Sequence, residues 1–407
     1  MSENITRRDL MKAGGMIAVG LVAPRWLGAI AHADMIQGAQ GGKIDPNCVL
    51  VVCQLSGGND GLNTVIPYRD PRYRELRPEV GIPEANVLDL AEGLGFHPSL
   101  EALRGLYQKG QVAVIQGVGY PNPNRSHFKS MDIWQSASPD NKLKHGWVGR
   151  HVDTRVLTGN SNPVYAIGLS TERPLALRAE AAAIPCFASL ADIQSMVGNP
   201  DAEHLLRQIQ GASSADEKVV QQANKSALDA MAELQSKLSQ HEPKQDYGKD
   251  KFGTGFRQVA QLVATSPQTR VIYFSAGGFD THANQPDQHA ALLKGFSDGV
   301  AAFQREMEAL GLDKRVLVMV FSEFGRRAYE NASNGTDHGA AGPMFLIGSR
   351  VKGGLYGPMP DLNNLENGDL RFGVDFREVY ATALDGWLGG DSAKVLGGAF
   401  RPLNLLS

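Results

Sequence analysis

Four carboxylates and two histidines stand beside glycines in short segments that each adjoin an apolar run. Asp60 lies in Leu55-Ser56-Gly57-Gly58-Asn59-Asp60-Gly61, and Asp280 and His282 lie in Gly277-Gly278-Phe279-Asp280-Thr281-His282. Glu323 opens Glu323-Phe324-Gly325-Arg326, and Asp337 and His338 sit in Gly335-Thr336-Asp337-His338-Gly339. Oxygen and imidazole donors without thiolate suit a hard or borderline divalent cation, so these six residues form a candidate metal site. A further segment, Arg125-Ser126-His127-Phe128, follows the Gly/Pro/Asn loop from Gly117 to Asn124 and opens a helix. Ser126 at a helix N-terminus would face free N–H groups and the positive end of the dipole, which lower the cost of a charged nucleophile. Arg125, with Asn59, would steady a phosphate or sulfate. Each residue also has an ordinary reading: Asp60 as an Asx-turn, Asp280 as a helix cap, Ser126 as an N-cap. The nucleophile stays open between Ser126, His127 and Ser130.

The elements that must position these residues follow from periodicity. Apolar, β-branched runs at Val49–Leu55, Val112–Gln116, Val164–Ile167, Val271–Ser275, Val316–Ser322 and Met344–Ile347 read as strands covered on both faces. Helical patterns fall at Leu100–Gln108, Phe128–Gln135, Ala290–Leu310 and Phe376–Leu388. The alternation predicts an α/β fold with a doubly wound, mainly parallel sheet. In such a sheet ligands bind beyond the carboxyl ends of strands, which is where the Gly-flanked segments fall. Residues 201–241 carry the longest helical pattern and, with the polar stretch to 251, read as a helical insertion between two halves of one sheet.

The first residues read as an address. Thr6-Arg7-Arg8-Asp9-Leu10-Met11-Lys12 precedes an apolar Gly/Ala-rich stretch and then Ala31-His32-Ala33, the pattern of a twin-arginine signal cleaved after residue 33. This leaves residues 34–407 as the mature domain, exported to the periplasm or beyond, with the twin-arginine translocase as its partner during export. No other stretch is long and apolar enough for a stable membrane insertion. With 40 Lys+Arg against 43 Asp+Glu, no basic excess points to nucleic acid. Cys48 and Cys53 lie on opposite faces of one strand and cannot pair. There is no Gly-x-Ser-x-Gly elbow, phosphate-binding Gly-x4-Gly-Lys loop, dinucleotide fingerprint or His-Glu-x-x-His helix. The 46 glycines, against the roughly 28 expected at ~7%, concentrate around the proposed ligands and the leader.

Taken together, Leu55–Asn63, Asn124–Phe128, Gly278–His282, Glu323–Arg326 and Gly335–Gly339 behind a twin-arginine leader resemble the exported bacterial family known as domain of unknown function 1501. That family is similar in fold to the alkaline phosphatase and sulfatase superfamily. The resemblance implies metal-binding roles for Asp60, Asp280, His282, Glu323 and His338, and places Ser126 near the nucleophile. It implies a divalent metal, zinc before calcium, magnesium or manganese. Phe324 stands where the superfamily has a histidine, and no Cys-x-Pro-x-Arg sulfatase motif occurs. Two functions follow as expectations. The first is a metal-dependent hydrolase of phosphate or sulfate esters on an anionic small molecule or polymer. The second is a non-catalytic exported scaffold or polymer-binding protein with a degenerate site.

Overall fold

The computed structural model describes residues 45–159, 162–192, 230 and 232–407. The expected leader and the 201–229 part of the expected insertion lie outside these residues. In chain order the strands are β1 (Val49–Ser56), β2 (Val65–Ile66), β3 (Leu88–Ala91), β4 (Leu94–Phe96), β5 (Val112–Gly119), β6 (Ala166–Leu169), β7 (Cys186–Phe187), β8 (Val271–Gly277), β9 (Val316–Phe321), β10 (Gly342–Ile347), β11 (Gly354–Tyr356) and β12 (Val374–Asp375). Nine of them build one sheet in the order β11-β5-β10-β9-β1-β8-β6-β7, with β12 also pairing with β5. The strands β2, β4 and β3 form a small antiparallel sheet of their own. The helices are α1 (Gly61–Thr64), α2 (Pro71–Leu76), α3 (Glu101–Gln108), α4 (His127–Ser136), α5 (Trp147–Leu157), α6 (Lys251–Thr265), α7 (Gln285–Leu310), α8 (Phe376–Ala383) and α9 (Ser392–Leu396). Among the described residues no helix is long and apolar enough to cross a membrane.

Strand β1 shows why the sheet must be covered twice. Val49 to Leu55 are all buried, and because side chains alternate across a strand they feed two cores. Val49, Val51, Cys53 and Leu55 pack with Phe252 and Phe256 of α6 and Phe296 of α7. Leu50 and Val52 pack with Trp134 of α4, Trp147 of α5 and Tyr380 of α8. Cys48 and Cys53 fall in opposite cores, unpaired. The expected helix from Ala290 begins earlier, at Gln285, where Pro286 occupies the first turn and leaves no backbone N–H wasted. The one expected over Phe376–Leu388 passes into a π-turn at Leu384–Leu388. Helices α5 and α6 were not expected; α6 opens Lys251-Phe252-Gly253-Thr254-Gly255, and two glycines in the first turns weaken the helical signal.

Strand directions then decide what meets what. β1 runs parallel to β8 and β9, and β8 to β6. β10 runs antiparallel to both β9 and β5, so the sheet is mixed and mostly parallel. Two consequences follow from one reversal. β5 points the same way as β1, and the amino end of β10 lies at the edge where β1, β5, β8 and β9 finish. The segments after those four strands and the segment before β10 therefore share one edge. At this edge Gly57 has φ +120°, and a Cβ there would stand 2.5 Å from the Asp280 backbone nitrogen. Gly335 would likewise put a Cβ 2.2 Å from the His282 carbonyl carbon.

Both contacts are with backbone, which cannot swing aside. Gly57→Ala is expected to cost about 2–4 kcal/mol of stability from overpacking and positive-φ strain, read as a lowered urea midpoint. A midpoint equal to wild type would show that the two loops are not in contact.

Candidate metal centre

A buried guanidinium assembles the edge. The Arg326 side chain, wholly inaccessible, leaves the segment after β9 and donates from Nε to the Gly58 carbonyl at 2.7 Å and from Nη1 to the Thr336 carbonyl at 2.7 Å. Its Nη2 donates to the carbonyls of Gly57 and Phe279, the latter at 2.8 Å, and to Asp280 Oδ1 at 2.8 Å. One side chain thus ties the segments after β1, after β8 and before β10 to its own. A cation this buried is tolerable only when fully hydrogen-bonded and paired. Asp280 supplies the countercharge. Burial pushes the Asp280 carboxyl up, but the hydrogen bond and the charge of Arg326 outweigh this and hold it well below the usual carboxylate range.

Three imidazoles surround Asp280, and the partner of each Nδ1 fixes what its Nε2 can do. His338 Nδ1 lies 2.8 Å from the Arg125 backbone carbonyl. A carbonyl only accepts, so Nδ1 carries the proton and neutral His338 turns an Nε2 lone pair toward Asp280 Oδ1, 3.0 Å away. His127 Nδ1 lies 3.0 Å from Oε1 of the fully buried Glu323. Among the described residues its Nε2 has no hydrogen-bond partner, and it stands 3.4 Å from Asp280 Oδ2. His282 Nδ1 lies 3.1 Å from Asp337 Oδ1, and its Nε2 is 2.9 Å from His338 Nε2 and 3.0 Å from Asp280 Oδ1. Acceptor atoms at this separation repel unless a proton or a cation lies among them. The donor atoms of His127, Asp280 and His338 all lie within 4.8 Å of one another. Two ligands about 2.0–2.1 Å from a tetrahedral zinc stand about 3.3 Å apart, so the cluster is compact enough to close on one ion, and its nitrogen and oxygen donors fit a borderline cation.

The hydrogen bond that His127 Nδ1 donates to Glu323 raises the His127 pKa against the opposing effect of burial. Burial lowers His338, and its hydrogen bonds to Asp280 and the Arg125 carbonyl only partly offset this. Asp337 is held low, first by the Asn331 amide and then by His282. Phe324 forms an apolar wall, its ring centroid 4.9 Å from that of His127 and 4.7 Å from that of His338.

Of the residues expected to bind metal, Asp280, His282 and His338 come together with Asp337 and Glu323 behind the imidazoles as hydrogen-bond acceptors. Glu323, expected as a ligand, stands behind His127, with Oε1 shared between His127 and the Gly57 N–H at 2.8 Å. Asp60 is a correction. It is fully buried, caps α1 through the Asn63 N–H, and pairs with Arg77 Nη1 at 2.6 Å and Gln285 Nε2 at 2.5 Å. Burial would raise its carboxyl, but the charge and hydrogen bond of Arg77 outweigh that and hold it low. Asn59 does not face the cluster: its carboxamide engages Thr64 and His289, an imidazole that burial pushes down to about 3. Arg125 spends Nε and Nη2 on Asp369 Oδ2. Ser126 is exposed at the N-cap of α4 with no side-chain capping bond, whereas Ser130 is buried against Tyr120 and the Glu323 carbonyl. His127, expected near the nucleophile, is instead a donor atom of the cluster. Arg326 and Arg77 were missed; the first closes the quoted Glu323–Arg326 segment, and its arginine is the signal that was available.

The chain belongs to the family described as "Protein of unknown function (DUF1501)", whose model matches residues 46–397. No curated protein matches it in sequence. Among solved structures it is similar to the C-terminal periplasmic domain of EcEptC from Escherichia coli in complex with Zn, at 9% identity and TM-score 0.38 over 76% of this chain and 75% of that one. It is similar to the phosphonate monoester hydrolase SpPMH from Silicibacter pomeroyi, at 10% identity and TM-score 0.38 over 88% and 76%. A protein in the alkaline phosphatase superfamily from Vibrio parahaemolyticus matches at 7% identity and TM-score 0.35 over 82% and 70%. Likenesses this low leave function to be argued from the chain's own residues.

The Asp60–Arg77 pair gives a stability prediction with a definite sign. Arg77→Ala strands a buried carboxylate and is expected to cost about 3–5 kcal/mol, measured by urea unfolding at neutral pH. Because the folded Asp60 pKa lies below its unfolded value of about 3.9, its contribution is complete above that pH and lost as pH falls toward the folded value. Asp60→Asn should therefore flatten the loss of stability below about pH 4, and an unchanged acid profile would contradict the pairing.

Proposed function

We propose that the chain is an exported, metal-dependent hydrolase of phosphate or sulfate esters, with His127, Asp280 and His338 holding a divalent ion of the zinc class. The observation that carries this reading is the convergence of imidazole Nε2 lone pairs on Asp280 while each Nδ1 proton is committed elsewhere. Metal-binding histidines are oriented in this way, by a carboxylate or carbonyl on the far nitrogen. The absence of thiolate and the majority of imidazole favour zinc over magnesium or calcium, which take oxygen shells.

When bound, the ion would polarise the ester and stabilise charge on its oxygens. The rest falls to the chain. Ser126 carries the only serine hydroxyl of the Arg125–Ser130 segment that is exposed, and it adjoins the donor His127. It is the proposed nucleophile, with the amino end of α4 favouring the charge that develops there. Arg125, anchored on Asp369, holds its own carbonyl against His338 and so fixes that imidazole. Phe324 keeps water from the inner side of both imidazoles. The chain as a whole is slightly acidic, with a formal charge of -3, so attraction for an anionic substrate must be local. Export through the twin-arginine route, cleavage after residue 33 and a periplasmic or secreted location belong to the same proposal.

One observation favours the second reading, a non-catalytic exported scaffold: the carboxylate of Asp60 is sealed by Arg77 and lost to metal binding. Metal content and hydrolysis separate the two. Purified, chelator-free protein is expected to hold close to one zinc-class ion per chain, and Glu323→Gln to weaken it about 10–100-fold. Hydrolysis of an aryl phosphate or aryl sulfate should vanish in the Asp280→Ala, His338→Ala double variant and fall by orders of magnitude in Ser126→Ala. Metal below about 0.1 per chain after incubation with zinc would remove the first reading, and metal without hydrolysis would leave the scaffold.

A further inference from the structure

We infer that Gln285 is a positioning residue of the metal centre, one that sets the spacing between the loop carrying Asp280 and His282 and the loop carrying Asp337 and His338. The role rests on the metal reading above and adds to it a side chain from outside the cluster.

Gln285 opens α7 and is fully buried. Its Nε2 donates to Asp60 Oδ2 at 2.5 Å, and its Oε1 lies 2.6 Å from Thr336 Oγ1 and 3.1 Å from Thr281 Oγ1. The oxygen and nitrogen of an amide are told apart by their partners. Against the effect of burial, Arg77 keeps Asp60 ionised, and a carboxylate only accepts, so the amide NH2 must face it. Oε1 is thereby left to the two threonine hydroxyls, and both donate to it. Thr281 stands between Asp280 and His282, and Thr336 immediately precedes Asp337 and His338. One carboxamide oxygen thus accepts from both loops. The main chain repeats the link, since Thr336 N donates to the Thr281 carbonyl at 3.2 Å and Gln285 N to the Asn334 carbonyl at 2.8 Å. Arg326 holds the Thr336 carbonyl, so this residue is gripped at its carbonyl by one side chain and at its hydroxyl by the other. The contacts that need this spacing cross between the loops: His282 Nε2 to His338 Nε2 at 2.9 Å, His282 Nδ1 to Asp337 Oδ1 at 3.1 Å and His338 Nε2 to Asp280 Oδ1 at 3.0 Å. Both threonines are buried. Without the carboxamide, Thr336 loses this acceptor and Thr281 turns to the Phe279 carbonyl, 3.4 Å away. Donors on separate loops bind a cation tightly only where the fold sets their spacing beforehand.

The test sets zinc affinity, measured by competition with a chromophoric chelator, beside hydrogen exchange of the metal-free protein. Gln285→Met keeps the length of the side chain without its hydrogen bonds and is expected to weaken zinc about 10–100-fold. In the metal-free state it should speed exchange about fivefold or more in peptides covering 278–283 and 333–339, with β1 unchanged. Thr336→Val is expected to weaken zinc about five- to tenfold, the loss of one buried hydrogen bond, and Thr336→Ser, which restores the hydroxyl, to stay within about threefold of wild type. The Thr336 pair carries the test if Gln285→Met does not fold. Zinc affinity within about threefold of wild type in both Gln285→Met and Thr336→Val, or exchange that rises in β1 as much as in the loops, overturns this inference and leaves the metal reading standing. A loss in Thr336→Ser as large as in Thr336→Val does the same. No zinc uptake by wild type overturns the metal reading itself, while faster loop exchange in metal-free Gln285→Met would still support the positioning.

Discussion

The whole edge depends on bringing a guanidinium into the interior. Arg326 is inaccessible, and its donors go to main-chain carbonyls of three other loops, those of Gly57, Gly58 and Phe279 being remote in sequence. Carbonyls neutralise its hydrogen-bonding demand but not its charge. That role falls to Asp280, which is therefore kept ionised beside three imidazoles. The charge state of the cluster is thus set by the same side chain that sets its shape. An anionic Asp280 beside the surrounding Nε2 atoms gives a set of donors that could hold a cation.

A second buried pair does the opposite work. Arg77 and Asp60 cancel each other within the core beneath the loop after β1, and Arg77 also donates to the carbonyls of Arg327 and Ala328. The two arginines therefore brace the same segment from two sides, Arg326 within it and Arg77 against it. Buried ion pairs are poor sources of net stability. Their use here is positional, since each is worth most in the one arrangement of loops that satisfies every donor.

Much of the architecture was legible in the sequence because it is local. Alternation in Val49–Leu55 and its counterparts announces strands covered on both faces, and the glycines beside the donors announce loops that approach other backbone closely. The rule that ligands gather at strand ends selected Asp280, His282 and His338 before any contact was known. It reached His338 on an incomplete premise, because a residue preceding a parallel strand would sit at the opposite edge. The reversal of β10 is what carries it across. A hint was present: residues 322–341 show no helical pattern, and a parallel return usually needs one.

What the sequence determined by itself is the chemistry available and the edge at which it collects: oxygen and imidazole donors, no thiolate, and backbone freedom around them. What only the tertiary structure decided is the division of labour among those donors. Asp60 and Asp280 both follow glycines at the end of a neighbouring strand and look alike in sequence. One meets Arg77 and is extinguished, while the other meets Arg326 and three histidines and becomes the centre of the cluster. Glu323 and Asp337 end behind imidazoles, and His127 ends among the donors. The physical reason is that strand formation and turn geometry are written in neighbouring residues. The partner of a charged side chain is chosen by which distant loop arrives beside it, and that is fixed only when the strands have taken their order and direction.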